Sequence, residues 1–186
     1  MITLVGISGS LRQQSYNSAL LKAAADAAAE GIRIEIHSIA DIPLYNGDVE
    51  KQQFPESVLA LKTAIQQAQG LILATPEYNH GVPGVLKNTI DWLSRPNPKD
   101  VFFQLPVALM GASMGGFGTQ VAQHEWQAVM KALKTRVWHE QDILVSRAQE
   151  KFSDNGQVSD PELTRQLTQF VSGFSEFCRT QGKRGA

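Results

Sequence analysis

Hydroxyl groups and one guanidinium crowd a short segment near the start of the chain: Ser8-Gly9-Ser10-Leu11-Arg12-Gln13-Gln14-Ser15-Tyr16-Asn17-Ser18. The segment leads directly into an alanine-rich stretch, so it ends at a helix N-terminus. The first N–H groups of a helix lack partners within it and carry about half a positive charge. An anion such as phosphate is favoured there. Hydroxyls of Ser10 and Ser15 add donors, and Arg12 adds a full charge on a planar fork. The segment has neither the G-x-x-x-x-G-K-[ST] pattern of a nucleoside-triphosphate loop nor the G-x-G-x-x-G of a dinucleotide loop. It also lacks a cysteine, which excludes a cysteine-based phosphatase loop. A terminal phosphomonoester fits what remains. The plain alternative is a serine-rich connection whose hydroxyls cap the next helix, with Ser15 or Asn17 as N-cap.

Two further segments have the composition of ligand walls. Thr75-Pro76-Glu77-Tyr78-Asn79-His80-Gly81-Val82-Pro83-Gly84 combines rigid prolines, glycines that permit close approach, and an aromatic ring. Such a loop suits a flat heterocycle, with Asn79 and neighbouring amides at its polar edge and Tyr78 and His80 as ring-sized surfaces. Equally, Tyr78 can cover the end of a sheet and His80 can be solvated. Gly111-Ala112-Ser113-Met114-Gly115-Gly116 offers small residues and exposed amides, with Ser113 either meeting a ligand or closing the turn.

The elements that must position these loops alternate between short apolar runs and longer amphipathic stretches. That alternation predicts a parallel sheet covered by helices on both faces. A first strand is expected over Ile2 to Ile7, then a helix from about Asn17 to Glu30 closed by Gly31. Ile32, Ile34 and Ile36 alternate with Arg33, Glu35 and His37, as at a sheet edge. Leu71-Ile72-Leu73-Ala74 and Val107-Ala108-Leu109-Met110 are continuous apolar runs suited to central strands. Helices are expected near 56–69, 84–94, 117–134 and 161–179, and a fifth strand near 135–145. An edge second strand beside a central first strand gives the order 2-1-3-4-5, a flavodoxin-like three-layer α/β sandwich. Ligands in this topology bind beyond the carboxyl ends of the strands, where all three loops fall.

Length and composition set outer limits. The 186 residues are expected to form one domain, 1–186. Seventeen basic against eighteen acidic side chains leave a net charge of -1, with no basic stripe for nucleic acid. Cys178 and the four histidines show no metal-ligand spacing, so no metal is expected. The N-terminus lacks a basic lead-in or a membrane-length apolar run, which suggests a cytoplasmic protein without a membrane anchor. Cys178 falls on a helical stripe with Leu163, Leu167, Phe170, Val171 and Phe174, and Trp126 on another with Ala122, Val129, Met130 and Leu133. Both are read as core residues.

Taken together, Gly9-Ser10-Leu11-Arg12-x-x-Ser15-x-Asn17 and Pro76-Glu77-Tyr78-Asn79-x-x-x-Pro83-Gly84-x-Leu86-Lys87-Asn88-x-Ile90-Asp91-Trp92-Leu93-Ser94-Arg95 closely resemble the NADPH-dependent FMN reductase family. That family includes quinone, azo-dye and chromate reductases. The resemblance implies that Gly9, Ser10, Leu11, Arg12, Ser15 and Tyr16 surround the FMN phosphate and ribityl chain, with Asn17 at the helix start. It implies that Pro76, Glu77, Tyr78, Asn79 and Ser113 line the isoalloxazine ring. It also implies a homodimer or homotetramer to which the helix from Gly84 contributes, with Trp92 and Arg95 at the contact and Val101-Phe102-Phe103 beside it. Gln104-Leu105-Pro106 departs from the family's frequent Gly-Lys-Pro, at a place expected near the site rim or interface.

The activity implied is electron transfer from NADPH or NADH through FMN to small acceptors such as quinones, azo compounds, chromate or free flavin, by ping-pong kinetics. FMN carries the chemistry, so no catalytic acid, base or nucleophile is expected from the protein. The competing readings are an FMN-binding electron carrier, whose surface would ordinarily be acidic, a flavoprotein with a partner-binding regulatory role, and a domain without flavin.

Overall fold

The computed structural model describes residues 1–181. Strands β1 (Ile2–Ser8), β2 (Ile32–His37), β3 (Gly70–Ala74), β4 (Pro106–Ala112) and β5 (Arg136–Val137) form one sheet in the order β2-β1-β3-β4-β5. Every pairing is parallel, as the crossover helices require. The crossover helices are α1 (Tyr16–Asp26), α3 (Glu56–Gln67), α4 (Gly84–Leu93) and α5 (Gln120–Ala132); α6 (Pro161–Thr180) follows the last strand, and a short α2 (Gly47–Gln52) lies on the surface.

The uninterrupted apolar runs of β3 and β4 are buried on both faces. Leu71 and Leu73 join the core under α3, α4 and α5, whereas Ile72 and Ala74 join the core under α1 and α6. The alternation of side chains across a strand thus builds three layers around two cores. Cys178 and Trp126 are buried in these cores.

Several boundaries differ from the sequence reading. Helix α1 ends at Asp26, and Gly31, at φ +84°, instead turns the chain into β2. Helix α5 begins at Gln120, not near Phe117, whose side chain is exposed. On the edge strand β2, Ile36 is 48% exposed, whereas Ile32 and Ile34 are partly buried.

The fifth strand is divided. Between the pairs Val107↔Val137 and Met110↔Ile143, β4 advances three residues (110 − 107) while its neighbour advances six (143 − 137). The surplus residues leave the sheet, with Trp138 turning inward to meet Phe170 and Phe174 at ring distances of 5.3 and 5.8 Å. A final strand β6 (Ile143–Val145) then rejoins β4 beside its carboxyl end.

The segment before β4 is also placed differently. Gln104 and Leu105 lie at the amino end of β4, opposite the carboxyl ends where ligands bind in this topology. Gln104 adopts φ +58°, a left-handed conformation natural to glycine, which accounts physically for glycine being frequent there in the resembling family. Val101 and Phe102 are buried within this chain, leaving Phe103 as the exposed member of that apolar trio. Trp92 is likewise internal: it is fully buried, and its Nε1 donates to Pro43 O at 2.9 Å. Arg95 sits over the Tyr45 ring, 5.0 Å from its centroid.

Candidate functional site

The loops after β1, β3 and β4 converge on a pocket of about 580 Å³ at the carboxyl end of the sheet. Its walls include Ser10, Arg12, Ser15, Tyr16 and Asn17 from the first loop, and Pro76, Glu77, Tyr78, Asn79 and His80 from the second. Ala112, Ser113, Met114, Gly115 and Gly118 complete it from the third.

On the β1 side, Ser15 is the N-cap of α1: its backbone is extended and its Oγ accepts from Ser18 N at 3.3 Å. The next N–H groups, of Tyr16 and Asn17, belong to the first turn, where no intrahelical acceptor exists. Ser18 Oγ donates to Ser8 Oγ at 2.9 Å, and Ser10 Oγ accepts from Arg12 N at 3.4 Å. Arg12 is exposed, and its Nη2 donates to Gln14 O at 3.1 Å. This leaves most of the guanidinium fork available.

Asn17, which lines the pocket, also ties two loops together. Its Nδ2 donates to Ala112 O and its Oδ1 accepts from Ala112 N, both at 2.9 Å. This buried amide pair clasps the start of α1 to the end of β4, and so joins the first loop to the third. Gly9 and Leu11 are not among the lining residues, and Leu11 is 51% exposed. At Gly9 a Cβ would meet Leu86, Pro76 and Pro83 at about 2.9 to 3.1 Å, so its role is to let the first loop pass close to the second.

The second loop is a tight hairpin. Tyr78 and Gly81 exchange two backbone hydrogen bonds, of 3.2 and 3.0 Å, around Asn79 and His80. These two residues have φ of 52° and 60°, as a type I′ turn demands at both central positions. Asparagine and histidine are both enriched among the non-glycine residues that adopt this conformation. Tyr78 is half-exposed at the pocket mouth.

Glu77 holds this hairpin against α5. Thr119, the N-cap of α5, makes no side-chain cap bond; instead Glu77 Oε2 accepts from Ala122 N at 3.0 Å. A carboxylate there satisfies an orphan donor and complements the helix dipole. The other oxygen, Oε1, lies 3.3 Å from His80 Nδ1. From α5, Glu125 Oε2 reaches back to accept from Val82 N at 3.0 Å. Trp126 Nε1 donates to Thr75 Oγ1 at 3.0 Å, so the core stripe of α5 also anchors the end of β3.

The third loop is closed by its own side chains and by the chain beyond β6. Ser113 Oγ donates to Gly118 O, which commits the hydroxyl to the turn. Ser113 N donates to Val145 O, Ala148 N to Ser113 O and Arg147 N to Gly115 O. Gly111 must be glycine, because a Cβ would lie 1.9 Å from Thr119 Oγ1 and 2.4 Å from Thr75 O.

Met114, Gly115, Gly118 and Ala112 are wall residues that the sequence did not single out as contacts. Their signal was the small-residue composition of the third loop. No helix of the described residues is long and apolar enough to cross a membrane.

Comparison with known proteins agrees with this geometry. Residues 2–150 match the family described as NADPH-dependent FMN reductase. An NAD(P)H-dependent FMN reductase of Pseudomonas aeruginosa is 43% identical over 178 residues, covering 96% of each chain. A quinone reductase of Escherichia coli is 36% identical over 95% of each chain. A 2-hydroxy-1,4-benzoquinone reductase of a Burkholderia species is 33% identical over 92% of this chain and 93% of its own. Among solved structures, FerB, a flavoenzyme NAD(P)H:(acceptor) oxidoreductase from Paracoccus denitrificans, superposes with a TM-score of 0.86 at 33% identity. The superposition covers 98% of this chain and 100% of FerB. With the sheet order, the converging loops and these likenesses in agreement, the chain belongs to the NADPH-dependent FMN reductase family.

Proposed function

We propose that the chain is a single FMN-binding domain that takes electrons from NADPH or NADH and passes them by a ping-pong mechanism to quinones, and also to azo compounds, chromate or free flavin. The observation that carries this reading is the pocket: its volume lies in the usual range for a cofactor site, and its two ends differ in chemistry. One end offers the α1 N-terminus, Ser10, Ser15 and Arg12 to a phosphate, with Tyr16 beside the ribityl chain. The other offers Pro76, Tyr78 and Asn79, on a rigid hairpin, to a flat ring.

Glu77, Asn17 and Ser113 serve by shaping the walls, since each has a polar atom bonded to the main chain of Ala122, Ala112 or Gly118. Gly9 and Leu11 take no direct part. Bound FMN supplies two-electron redox chemistry, and the protein supplies binding, orientation and exclusion of water on one side. The exposed mouth at Tyr78 and His80 leaves room for nicotinamide and acceptor to use the same opening in turn. A net charge of -1 argues against a carrier steered to protein partners by an acidic surface.

A cytoplasmic homodimer or homotetramer completes the proposal. Support for self-association comes from the groove between α4 and α5, about 390 Å³ in volume and lined by Ile90, Ala128, Val129, Ala132 and Leu133. The purified chain is expected to bind about one FMN per subunit and to oxidise NAD(P)H with a quinone, giving parallel double-reciprocal plots. A flavin-replete preparation with no turnover on either nucleotide across several acceptors would defeat the reductase reading.

A further inference from the structure

We infer that His80 is the acid that delivers a proton to a quinone acceptor, and that Glu77 is the residue that positions it. The inference rests on the quinone reading above. Among the pocket-lining residues His80 is the one imidazole, and imidazole is the side chain whose ordinary titration lies nearest neutrality. Its position is unusually determined for a residue on a loop. Both backbone hydrogen bonds of the Tyr78–Gly81 pair bracket it, its own φ is 60°, and Glu77 Oε1 stands 3.3 Å from Nδ1. Glu77 is itself fixed at the α5 N-terminus by Ala122 N, with its side chain 10% exposed.

A carboxylate this close to Nδ1 favours a proton on that nitrogen, leaving Nε2 to exchange protons elsewhere. The histidine side chain is 79% exposed at the pocket mouth, where solvent can reload it. The charged and titratable groups around this end of the pocket are Glu77 on the same loop, Glu125 on α5, and Arg12 and Tyr16 across the pocket. Tyr78 also stands at the mouth.

Two-electron reduction of a quinone requires a hydride equivalent and one proton for each hydroquinone formed. The family's reductase activity supplies the hydride equivalent from the nicotinamide nucleotide. In the proposed step the Nε2–H bond of the His80 imidazolium breaks and an O–H bond forms on the quinone oxygen. The imidazole is left neutral and takes a proton from solvent before the next turnover.

Ferricyanide accepts single electrons and no proton, so it separates proton delivery from everything that precedes it. Both acceptors draw on the same nucleotide-reduced holoenzyme, and the ratio of quinone to ferricyanide turnover isolates the second half-reaction. His80→Asn is the appropriate change, because asparagine preserves the left-handed turn. General acid catalysis typically contributes about 100- to 10,000-fold. At this open site the ratio is expected to fall by about 100-fold, the lower limit of that range.

Glu77→Gln gives a second readout that does not depend on turnover. An amide presenting N–H to Nδ1 favours the Nε2–H tautomer, so ring-nitrogen NMR shifts of His80 in the holoenzyme should move from the Nδ1–H pattern to the Nε2–H pattern. An unchanged acceptor ratio in His80→Asn, or an unchanged tautomer in Glu77→Gln, overturns the inference. Wild-type protein that turns over with ferricyanide but not with quinone instead removes the quinone reading, and the inference with it, by a different signature.

Discussion

On the proposed reading, Arg12 separates phosphate recognition from ring recognition at a single residue. Its guanidinium gives one hydrogen bond to Gln14 O and is otherwise turned to solvent at the pocket edge. Arg12→Ala should therefore weaken FMN binding far more than riboflavin binding, since riboflavin has no phosphate. A hydrogen bond to a charged group is worth about 1.5 to 3 kcal/mol, or roughly ten- to 150-fold in Kd. Exposure of Arg12 places the expected loss near the lower figure. Flavin-fluorescence titration of the apoprotein with both ligands measures it, and equal losses for the two would place the phosphate elsewhere. The neighbouring Asn17 contrasts with it, because its amide donates to and accepts from the main chain of Ala112. Two polar residues five positions apart in the motif thus differ, one with an exposed guanidinium and one bonded into the wall.

At the scale of elements, the junction before β4 trades backbone strain for a side-chain contact. Gln104 holds φ +58°, and its Oε1 accepts from Arg136 Nε on β5. Left-handed backbone costs a side-chain-bearing residue about 1 to 2 kcal/mol, comparable with a hydrogen bond to a charged group. Gln104→Gly loses the bond but relieves the strain, and its urea midpoint should stay close to wild type. Gln104→Ala loses the bond and keeps the strain, so it should be less stable than the glycine variant by about 1 kcal/mol. Equal midpoints would show that the strain is not significant.

The start of α6 carries a pH dependence of definite sign. Asp160 is the helix N-cap, accepting from Glu162 N, and the hydrogen bond from Lys151 holds its carboxyl below the usual carboxylate range. The pairing stabilises the fold fully above the ordinary Asp value of about 3.9 and is lost as pH falls through the lower folded value. Wild type and Asp160→Asn, compared by urea unfolding, should differ at neutral pH and converge in acid. A gap that widens on acidification would reverse the assignment.

For the whole molecule, assembly depends on the apolar surface left exposed. Trp92, Val101 and Phe102 are occupied inside the chain, so any contact between copies must use what remains exposed. The α4–α5 groove offers apolar surface flanked by the Lys87–Asp91 ion pair at 2.7 Å. Sedimentation at micromolar concentration should show an oligomer, and Ala128→Arg, which places a charge on that face, should shift it toward monomer. Monomer alone in wild type would refute the assembly, and an unaffected oligomer in the variant would move the contact to another face.

Much of this architecture is local in origin and was legible as such. Apolar runs at Leu71–Ala74 and Val107–Met110, set between amphipathic stretches, suffice for a doubly covered parallel sheet, and the sheet order places three loops at one end. Helix α2 gave no comparable signal because none of its residues is buried, so it has no apolar stripe to read. The division of the fifth strand was hidden because its register is set by β4, some 30 residues away, and by Trp138 finding Phe170 and Phe174. The motifs identified polar residues suited to a ligand, but their composition was silent on which were already engaged. Asn17 meets Ala112 across 95 positions and Glu77 meets Ala122 across 45. A hydrogen bond is satisfied by whatever partner folding brings within about 3 Å. The types of side chain at the site were therefore determined by the sequence itself, and which of them remain free for a ligand was decided by the tertiary structure.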